Sequence, residues 1–255
     1  MSRTFAVSSP AQNQLWCSLP GEERDRLLSQ LRRVSLSLGE VLFETHQRIN
    51  CVYFVTSAIV SLVYATATGA TAETALVGSD GVVGLGILLG GHSACHRSVI
   101  AVAGEAFTLP APHVIEAFER DPAVRRIFLR YTQGFITQIS QTAVCNRLHS
   151  IEQRLCRWLL LCHDRTGSSE LLMTQELIAH MLGGRRESVT VAAGHLQDLG
   201  LIQYCRGHIR ILDRKRLEEC ACECYRTVEE ELAQLYGAKR GPSFSPPPAA
   251  LERAV

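Results

Sequence analysis

The chain has 255 residues, of which 46% are hydrophobic and 20% are charged. These proportions fit a globular protein of one or two domains, and they exclude a disordered or collagen-like chain. The net charge of +1 hides an uneven distribution, because residues 147–216 hold 11 Lys and Arg against 7 Asp and Glu. Residues 1–146 hold 11 of each. A basic segment beside a neutral one predicts a polyanion-binding module joined to a neutral partner domain.

Cysteine usage and hydropathy indicate the compartment. The ten cysteines occur in a long, core-rich chain whose first residues lack the apolar stretch of a secretory signal, so a disulfide framework is not expected. The longest apolar runs, at 85–89 and 159–161, are far shorter than the roughly 18 residues that a membrane span needs. We therefore expect a cytoplasmic protein with reduced cysteines and no membrane contact.

The N-terminal half of the chain changes character at residue 34. Short helices are predicted over residues 13–33. From Val34 to Pro110, short runs rich in Val, Thr, Tyr and Ile are separated by turn residues, which predicts an antiparallel β-sandwich or roll. The predicted strands lie at residues 41–43, 52–55, 59–64, 74–77 and 98–102.

A long helix is predicted next, with Asp121 as its N-cap and Pro122 at its first position. Its apolar residues recur every three to four positions, and this stripe is longer than a small core requires. A seam against an identical helix and simple packing on the strand domain explain the pattern equally well. The stripe consists of Ile127, Phe128, Tyr131, Phe135, Ile136, Ile139 and Ala143.

Two short helices around Gly183-Gly184 carry the strongest functional signal. Thr174 is a typical N-cap for the first helix, and Gly183 ends it. The second helix buries Val189, Ala192, Ala193 and Leu196, which leaves its polar N-terminal end exposed. This is helix-turn-helix geometry, in which Arg can bind guanine and Glu can accept a hydrogen bond from cytosine. A charged, solvated turn between two core helices is the alternative. A hairpin around Arg206-Gly207 follows, and the segment 217–236 is predicted to be helical and acidic.

These motifs resemble the Crp/Fnr transcription regulators. The resemblance runs from about residue 12 to about residue 236, in the family's order. It implies an α+β fold with an N-terminal antiparallel β-roll of the cyclic-nucleotide-binding type, a long dimerisation helix and a C-terminal winged helix-turn-helix. The implied segments are a sensor roll at 12–118, the dimerisation helix at 119–147, the DNA-binding domain at 148–220, an acidic helix at 221–236 and a disordered tail at 237–255. The resemblance is carried by residues 174–179, 182–183, 186–189, 199–202 and 207–209, and by 15, 19–20, 39–42, 52–54, 60–63 and 81–84.

The resemblance also implies partners and DNA contacts. The protein is expected to be a non-enzymatic regulator that binds double-stranded DNA at a palindromic operator as a homodimer and works with RNA polymerase. Arg186 and Glu187 match base-reading positions, whereas Thr174 matches a phosphate contact. Val191 departs from the family pattern, because a well-studied member has a third base-reading Arg at this position. Either Arg185 replaces that contact, or Val191 contacts a thymine methyl group. The expected DNA-binding residues are Thr174, Arg185, Arg186, Glu187, Ser188, Thr190, Val191, Arg206 and His208.

The implied effector pocket does not fit cyclic AMP. Cyclic-AMP-binding members hold the ribose with a Glu and the phosphate with an Arg-Ser pair, but here Leu85 stands where the Glu should be. An unpaired buried ribose hydroxyl costs about 1–3 kcal/mol. The expected effector is therefore an unknown small molecule or none, and no cofactor is assigned. The pocket residues that the resemblance implies are Gly84, Leu85, Arg97, Ser98, Ile139 and Ser140.

Two cysteine- and histidine-rich segments are weighed as metal sites, and none is predicted. His92, Cys95 and His96 share one loop without an evident fourth ligand. Cys220, Cys222 and Cys224 are expected to pack, because only the first and last share a helical face. The competing functions are a metal-dependent, cupin-like β-roll enzyme and a metal- or redox-sensing variant of the regulator. A cupin site would need His-x-His and a following Glu, which this loop lacks.

Overall fold

The computed structural model describes residues 9–67 and 71–237. Eight strands form two four-stranded antiparallel sheets, with strand orders β1-β8-β3-β6 and β2-β7-β4-β5. The predicted β-roll is therefore confirmed. The strands are β1 Arg32–Leu36, β2 Val41–Phe43, β3 Cys51–Val55, β4 Ile59–Ala65, β5 Thr71–Val77, β6 Val82–Val83, β7 Arg97–Val102 and β8 Gly104–Pro110.

Strands β1, β6 and β8 were not predicted from the sequence. The helical expectation for Arg32 and Arg33 is wrong, because both residues belong to β1 and pair with β8. Arg33 bonds Glu105 across the strands, with Nε 2.9 Å from Oε2. A long-range charge pair of this kind stabilises a strand whose own apolar alternation is weak.

Four helices flank the roll, and the fourth begins as predicted. Asp121 accepts a hydrogen bond from the Ala123 amide at 2.7 Å and caps a helix that extends to Leu148. Phe128 on this helix joins Trp16, Phe54 and Leu109 in the core beneath the first sheet. The four helices are α1 Gln14–Ser18, α2 Gly21–Leu28, α3 Ala111–Arg120 and α4 Pro122–Leu148.

The apolar stripe of α4 divides between two faces. Phe128 and Tyr131 are buried against the roll, and Tyr131 bonds the Val82 amide at 3.1 Å. By contrast, Ile136 is 52% exposed and Ile139 is 37% exposed. Packing on the strand domain therefore accounts for one part of the stripe, and a second apolar face remains on the surface of this chain.

The C-terminal part contains five helices and a three-stranded sheet with the order β10-β11-β9. Its core is built around Trp158 and the Leu159–Leu161 run of α5. These elements are α5 Ile151–Thr166, β9 Glu170–Leu172, α6 Gln175–Leu182, α7 Arg186–Asp198, β10 Ile202–Cys205, β11 His208–Ile211, α8 Arg214–Cys220 and α9 Glu223–Tyr236.

Residues 217–236 are largely helical, as expected, but they belong to two helices. Ala221 and Cys222 have extended backbones, with ψ of 156° and 162°, and they separate α8 from α9. The two helices pack in different places, because α8 lies against α5 whereas α9 lies along α4. A single straight helix cannot reach both partners. The predicted tail lies outside the described residues beyond Gly237.

A buried polar network joins the roll, α4 and α5. Arg165 of α5 donates to Asp80 at 2.7 Å and also to Gln138 of α4. The Ser79 hydroxyl donates to the Arg165 carbonyl at 2.6 Å. Gly78 allows this approach, since a Cβ there would lie 2.5 Å from the Arg165 Cβ. The C-terminal part is therefore fixed to the β-roll through charged, buried contacts.

Candidate nucleic-acid interface and effector cavity

The turn between α6 and α7 has the geometry that the sequence predicted. Thr174 caps α6 by accepting from the Leu177 amide at 3.2 Å. Gly183 adopts a left-handed φ of +57° at the helix end, which favours glycine. A side chain at Gly184 would collide with Ile151 of α5, because its Cβ would lie 2.8 Å from the Ile151 Cδ1. The two glycines are thus required for different reasons.

The helix α7 buries one face and exposes the other. Val189, Ala192, Ala193 and Leu196 join the core with α5 and α6. The opposite face carries all the α7 residues that were expected to contact DNA, and Val191 among them is 73% exposed. Backbone N–H groups at this helix start favour anions. The exposed residues are Arg185, Arg186, Glu187, Ser188, Thr190 and Val191.

The charged side chains at the start of α7 are available for a ligand. Within residues 9–67 and 71–237, neither Arg185, Arg186 nor Glu187 makes a side-chain hydrogen bond or ion pair. Thr190 differs, because its hydroxyl lies 2.7 Å from Gln175 Oε1 and 2.9 Å from the Arg186 carbonyl. The structure thus identifies Gln175 as a residue of this surface that sequence reasoning did not select. Its position at the first turn of α6 gave no signal, since the contact depends on how the two helices cross.

The hairpin β10–β11 lies beside the start of α6. Arg206 and Gly207 have positive φ angles of 46° and 82°, as a tight hairpin turn requires. The Gly207 carbonyl accepts a hydrogen bond from Met173 at 2.6 Å, which brings the hairpin tip next to Thr174. Arg206 and His208 are exposed. Thr174, the hairpin tip and the N-terminal end of α7 therefore belong to one module, which exposes the guanidinium groups of Arg185, Arg186 and Arg206.

A cavity of about 240 Å³ lies between the roll and α4. Of the six residues expected there, Gly84, Leu85, Ser98 and Ile139 line it. The Ser98 hydroxyl is buried and has no hydrogen-bond partner within the described chain. The remaining lining residues are Phe43, Ile49, Leu62, Val82, Val83, Gly86, Leu89, Ser93, Ala94, Cys95, His96, Thr132, Phe135 and Ile136.

Arg97 and Ser140 do not line this cavity, which corrects the expectation for both. Successive side chains of a strand point to opposite faces, so Ser98 of β7 faces inward whereas Arg97 faces outward. Arg97 pairs with Glu44, with Nε 3.1 Å from Oε2. Ser140 is exposed and donates to the Ile136 carbonyl of its own helix at 2.9 Å.

The chemistry of the cavity differs from that of a cyclic-nucleotide site. No carboxylate and no guanidinium is among its lining residues in the described ranges 9–67 and 71–237. Burial lowers the pKa of His96, which favours the neutral imidazole. The walls can therefore bind a largely apolar molecule with a polar group facing Ser98, but among the described lining residues they offer no carboxylate for a ribose hydroxyl and no guanidinium for a phosphate.

The loop that contains His92 does not assemble a metal site. Cys95 Sγ lies 3.1 Å from His96 Nδ1, but His92 lines a different surface depression. In the part of the chain that the structure describes, only one group of three or more Cys, His, Asp or Glu ligand atoms converges, and it lies elsewhere. None of the helices described is long and apolar enough to cross a membrane.

Comparisons with known proteins agree with this architecture. The family model of a cyclic nucleotide-binding domain matches residues 33–121, and that of a Crp-like helix-turn-helix domain matches residues 153–220. The two matches together span more than half of the chain. No curated protein sequence matches it.

Solved structures of transcription regulators share the fold. FixK2 from Bradyrhizobium japonicum superposes with a TM-score of 0.65 at 18% identity, covering 75% of this chain and 98% of its own. TTHB099, a CRP-family transcriptional regulator from Thermus thermophilus, has a TM-score of 0.61 at 18% identity, with coverages of 74% and 96%. The c-di-GMP-responsive regulator CLP from Xanthomonas campestris has a TM-score of 0.58 at 16% identity, with coverages of 76% and 100%. With its β-roll, long helix and exposed helix-turn-helix, this chain belongs to the Crp/Fnr family of transcription regulators.

Proposed function

We propose that the protein is a non-enzymatic homodimer that reads a two-fold symmetric DNA operator with α7. The observation that carries this proposal is the exposed Arg185-Arg186-Glu187 sequence, unpaired within the described residues, at the start of a helix whose opposite face packs into the core. Such a helix fits the major groove, and its N-terminal residues reach base edges.

The side chains at the start of α7 divide into two roles. Arg186 is suited to bind guanine O6 and N7, and Glu187 to accept from cytosine N4. Val191 is exposed enough to contact a thymine methyl, while Arg185 and Ser188 flank the same groove. Thr190 holds Gln175 in place beside α7, so its contribution to DNA binding is partly indirect.

A second set of residues is suited to contact phosphate. Thr174, Arg206 and His208 come from the start of α6 and from the hairpin. Because phosphate contacts carry no sequence information, these residues supply affinity and register.

The exposed apolar face of α4 supports a homodimer. Ile136 is seven residues after Leu129, which is 49% exposed, and Ala143 is seven residues further on. A seven-residue apolar repeat is typical of a seam between two helices. A two-fold dimer would place two α7 helices on half-sites about one helical turn apart.

The cavity supports an effector other than cyclic AMP. Ser98 offers a hydroxyl in walls that are otherwise largely apolar, and Leu85, which lines the same cavity, occupies the sequence position at which the resemblance implies a ribose-binding Glu. A cupin-like metal enzyme is not favoured, because His96 is the one imidazole among the cavity-lining residues described and no carboxylate accompanies it. As a DNA-bound regulator, the protein would act in the cytoplasm and meet RNA polymerase at promoters.

The test is selection of duplexes from a random DNA library by the full-length protein, followed by footprinting of the selected sequence. The expected motif is an inverted repeat with half-site centres about 10 base pairs apart, or a multiple of a helical turn. The Arg185→Ala/Arg186→Ala double variant should enrich no motif while it remains folded. Enrichment of a single, non-symmetric site would contradict the dimer, and no enrichment by the wild type would contradict the function.

A further inference from the structure

Four side chains of the types that bind metal ions meet at the joint between α4 and α5. Cys145 lies in the last turn of α4, and His149 follows that helix. Cys222 separates α8 from α9, and Cys224 lies in the first turn of α9. One ligand atom from each of the four residues lies within 4.8 Å of the others.

The distances within this cluster fit one tetrahedral ion. Cys145 Sγ is 3.5 Å from Cys222 Sγ, and Cys224 Sγ is 3.6 Å from His149 Nδ1. Around a tetrahedral Zn²⁺, with Zn–S bonds of about 2.3 Å and Zn–N bonds of about 2.0 Å, ligand atoms stand roughly 3.5–3.8 Å apart. An iron–sulfur cluster would place several irons and sulfides between its ligands and would require wider spacing.

The surroundings suit thiolate ligands. Cys145, Cys222 and Cys224 are almost fully buried and form a cluster of their own. Arg157 and Arg154 lie close enough to interact electrostatically with Cys145. A Zn²⁺ ion with three thiolates and a neutral imidazole carries one net negative charge, which these cations would offset. The Nε atoms of Arg154 and Arg157 are buried without a hydrogen-bond partner among the residues described.

His149 has the second contact that a metal-binding histidine usually makes. Its Nε2 lies 3.3 Å from Glu223 Oε1, while its Nδ1 faces Cys224. A carboxylate on the far nitrogen fixes the tautomer and orients the ring toward the metal. Simple packing of cysteines would not require this arrangement.

We propose that Cys145, His149, Cys222 and Cys224 bind one divalent ion of the zinc type in a closed, tetrahedral site. Binding releases the protons of those cysteines that are still thiols. Cys222 and Cys224 lie beyond residue 220, where the helix-turn-helix match ends. The site therefore uses the added helix α9 and fastens it to the end of α4.

The position of the site determines which elements a bound ion would hold together. Residues 149 and 150 connect the dimerisation helix to the DNA-binding part, and α9 runs from this joint back along α4. Arg130 of α4 bonds the Gln234 carbonyl, and Tyr236 bonds the Asp80 carbonyl of the roll. An ion at the joint would hold α9 at one end while these contacts hold it at the other.

The test measures metal binding directly and does not depend on DNA binding. Full-length protein, purified under reducing conditions, is assayed for metal content by mass spectrometry and then stripped and titrated with Co²⁺. We expect one metal per chain and a thiolate-to-cobalt charge-transfer band with intense tetrahedral d–d absorption. Cys222→Ser and Cys224→Ser should each weaken binding by at least about 100-fold. Cys220→Ser, from the same cysteine-rich segment, and His96→Ala, from the loop at the cavity, should bind like the wild type.

The wild-type measurement alone decides the matter if a variant fails to fold. No stoichiometric Co²⁺ uptake by the wild type, or uptake without a thiolate charge-transfer band, would overturn the proposal. A Cys145–Cys222 disulfide in the reduced preparation would overturn the proposal as well. So would a loss of metal binding in Cys220→Ser as large as the loss in Cys222→Ser and Cys224→Ser.

Discussion

The DNA-reading surface and the effector cavity differ in how far the family's residue pattern carries over. All nine expected DNA contacts lie exposed on α6, α7 or the hairpin. By contrast, two of the six residues expected at the cavity, Arg97 and Ser140, do not line it, and no carboxylate is among its described lining residues. If both proposed roles hold, a regulator can keep the residues that read DNA while the chemistry of its effector site changes.

The first prediction has the largest expected effect. It concerns the exposed apolar face of α4, through which the proposed dimer would form. Ile136→Glu should convert the dimer to a monomer, because a charge would be buried in the seam. Operator affinity should then fall by at least about 100-fold, since a monomer keeps one half-site. Sedimentation and DNA titration measure the two effects.

Leu28→Glu is the matched control, because Leu28 of α2 is 53% exposed against 52% for Ile136. It should leave both the mass and the DNA affinity unchanged. A wild type that sediments as a monomer at micromolar concentration would rule out the seam.

The second prediction separates base reading from phosphate contact within the DNA surface. Arg186→Ala should cost roughly 1–3 kcal/mol on the selected operator and relax the preference at one base position. Arg206→Ala should weaken all sequences alike and reduce the salt slope by about 0.9. Titrations of both variants on operator and random DNA at several salt concentrations distinguish these effects. If Arg186→Ala lowers the affinity for both DNAs equally, Arg186 contacts phosphate and does not read a base.

The third prediction concerns the contact between the roll and α5. Glu73 of β5 accepts from Trp158 Nε1 at 3.1 Å and from the Ser61 hydroxyl at 2.5 Å, and Arg157 and Arg165 lie near it. Burial raises the pKa of Glu73 to about 8, from an ordinary value near 4.5. The folded protein therefore keeps a proton that the unfolded chain releases, so this contribution to stability is full below pH 4.5 and is lost as the pH rises to about 8.

Glu73→Gln keeps the size of the side chain and one acceptor oxygen for Trp158, its NH2 group can donate to the Ser61 hydroxyl, and it does not titrate. Thermal unfolding from about pH 5 to about pH 9 should show the wild type losing stability relative to this variant as the pH rises. The exposed Glu176→Gln serves as the control and should follow the wild type. Parallel curves for Glu73→Gln and the wild type would mean that Glu73 is already ionised in the fold.

Sequence reasoning succeeded where the signal is local. Asp121 and Thr174 cap their helices, and Gly183 ends α6, because each of these effects needs only a few neighbouring residues. It failed where distant segments meet. Whether Arg97 faces the cavity depends on the register of β7.

The four proposed metal ligands show more clearly that sequence reasoning fails where distant segments meet. Cys145 and Cys222 are separated by 77 positions, and their approach depends on α9 returning along α4. The break at Ala221 also removed the helical spacing from which Cys220 and Cys224 were expected to share a face. No short-range pattern carried this information.

The affinity of the wild-type protein for its selected operator, measured with and without millimolar cyclic AMP, tests the account most directly. We expect a dissociation constant of about 10⁻⁸ M or below, at least about 10³-fold tighter than for random duplex. We expect no change with cyclic AMP, because the cavity offers neither a carboxylate for the ribose nor a guanidinium for the phosphate. Equal affinity for operator and random duplex would contradict sequence-specific reading by α7, and a tenfold or larger gain with cyclic AMP would contradict the altered sensor.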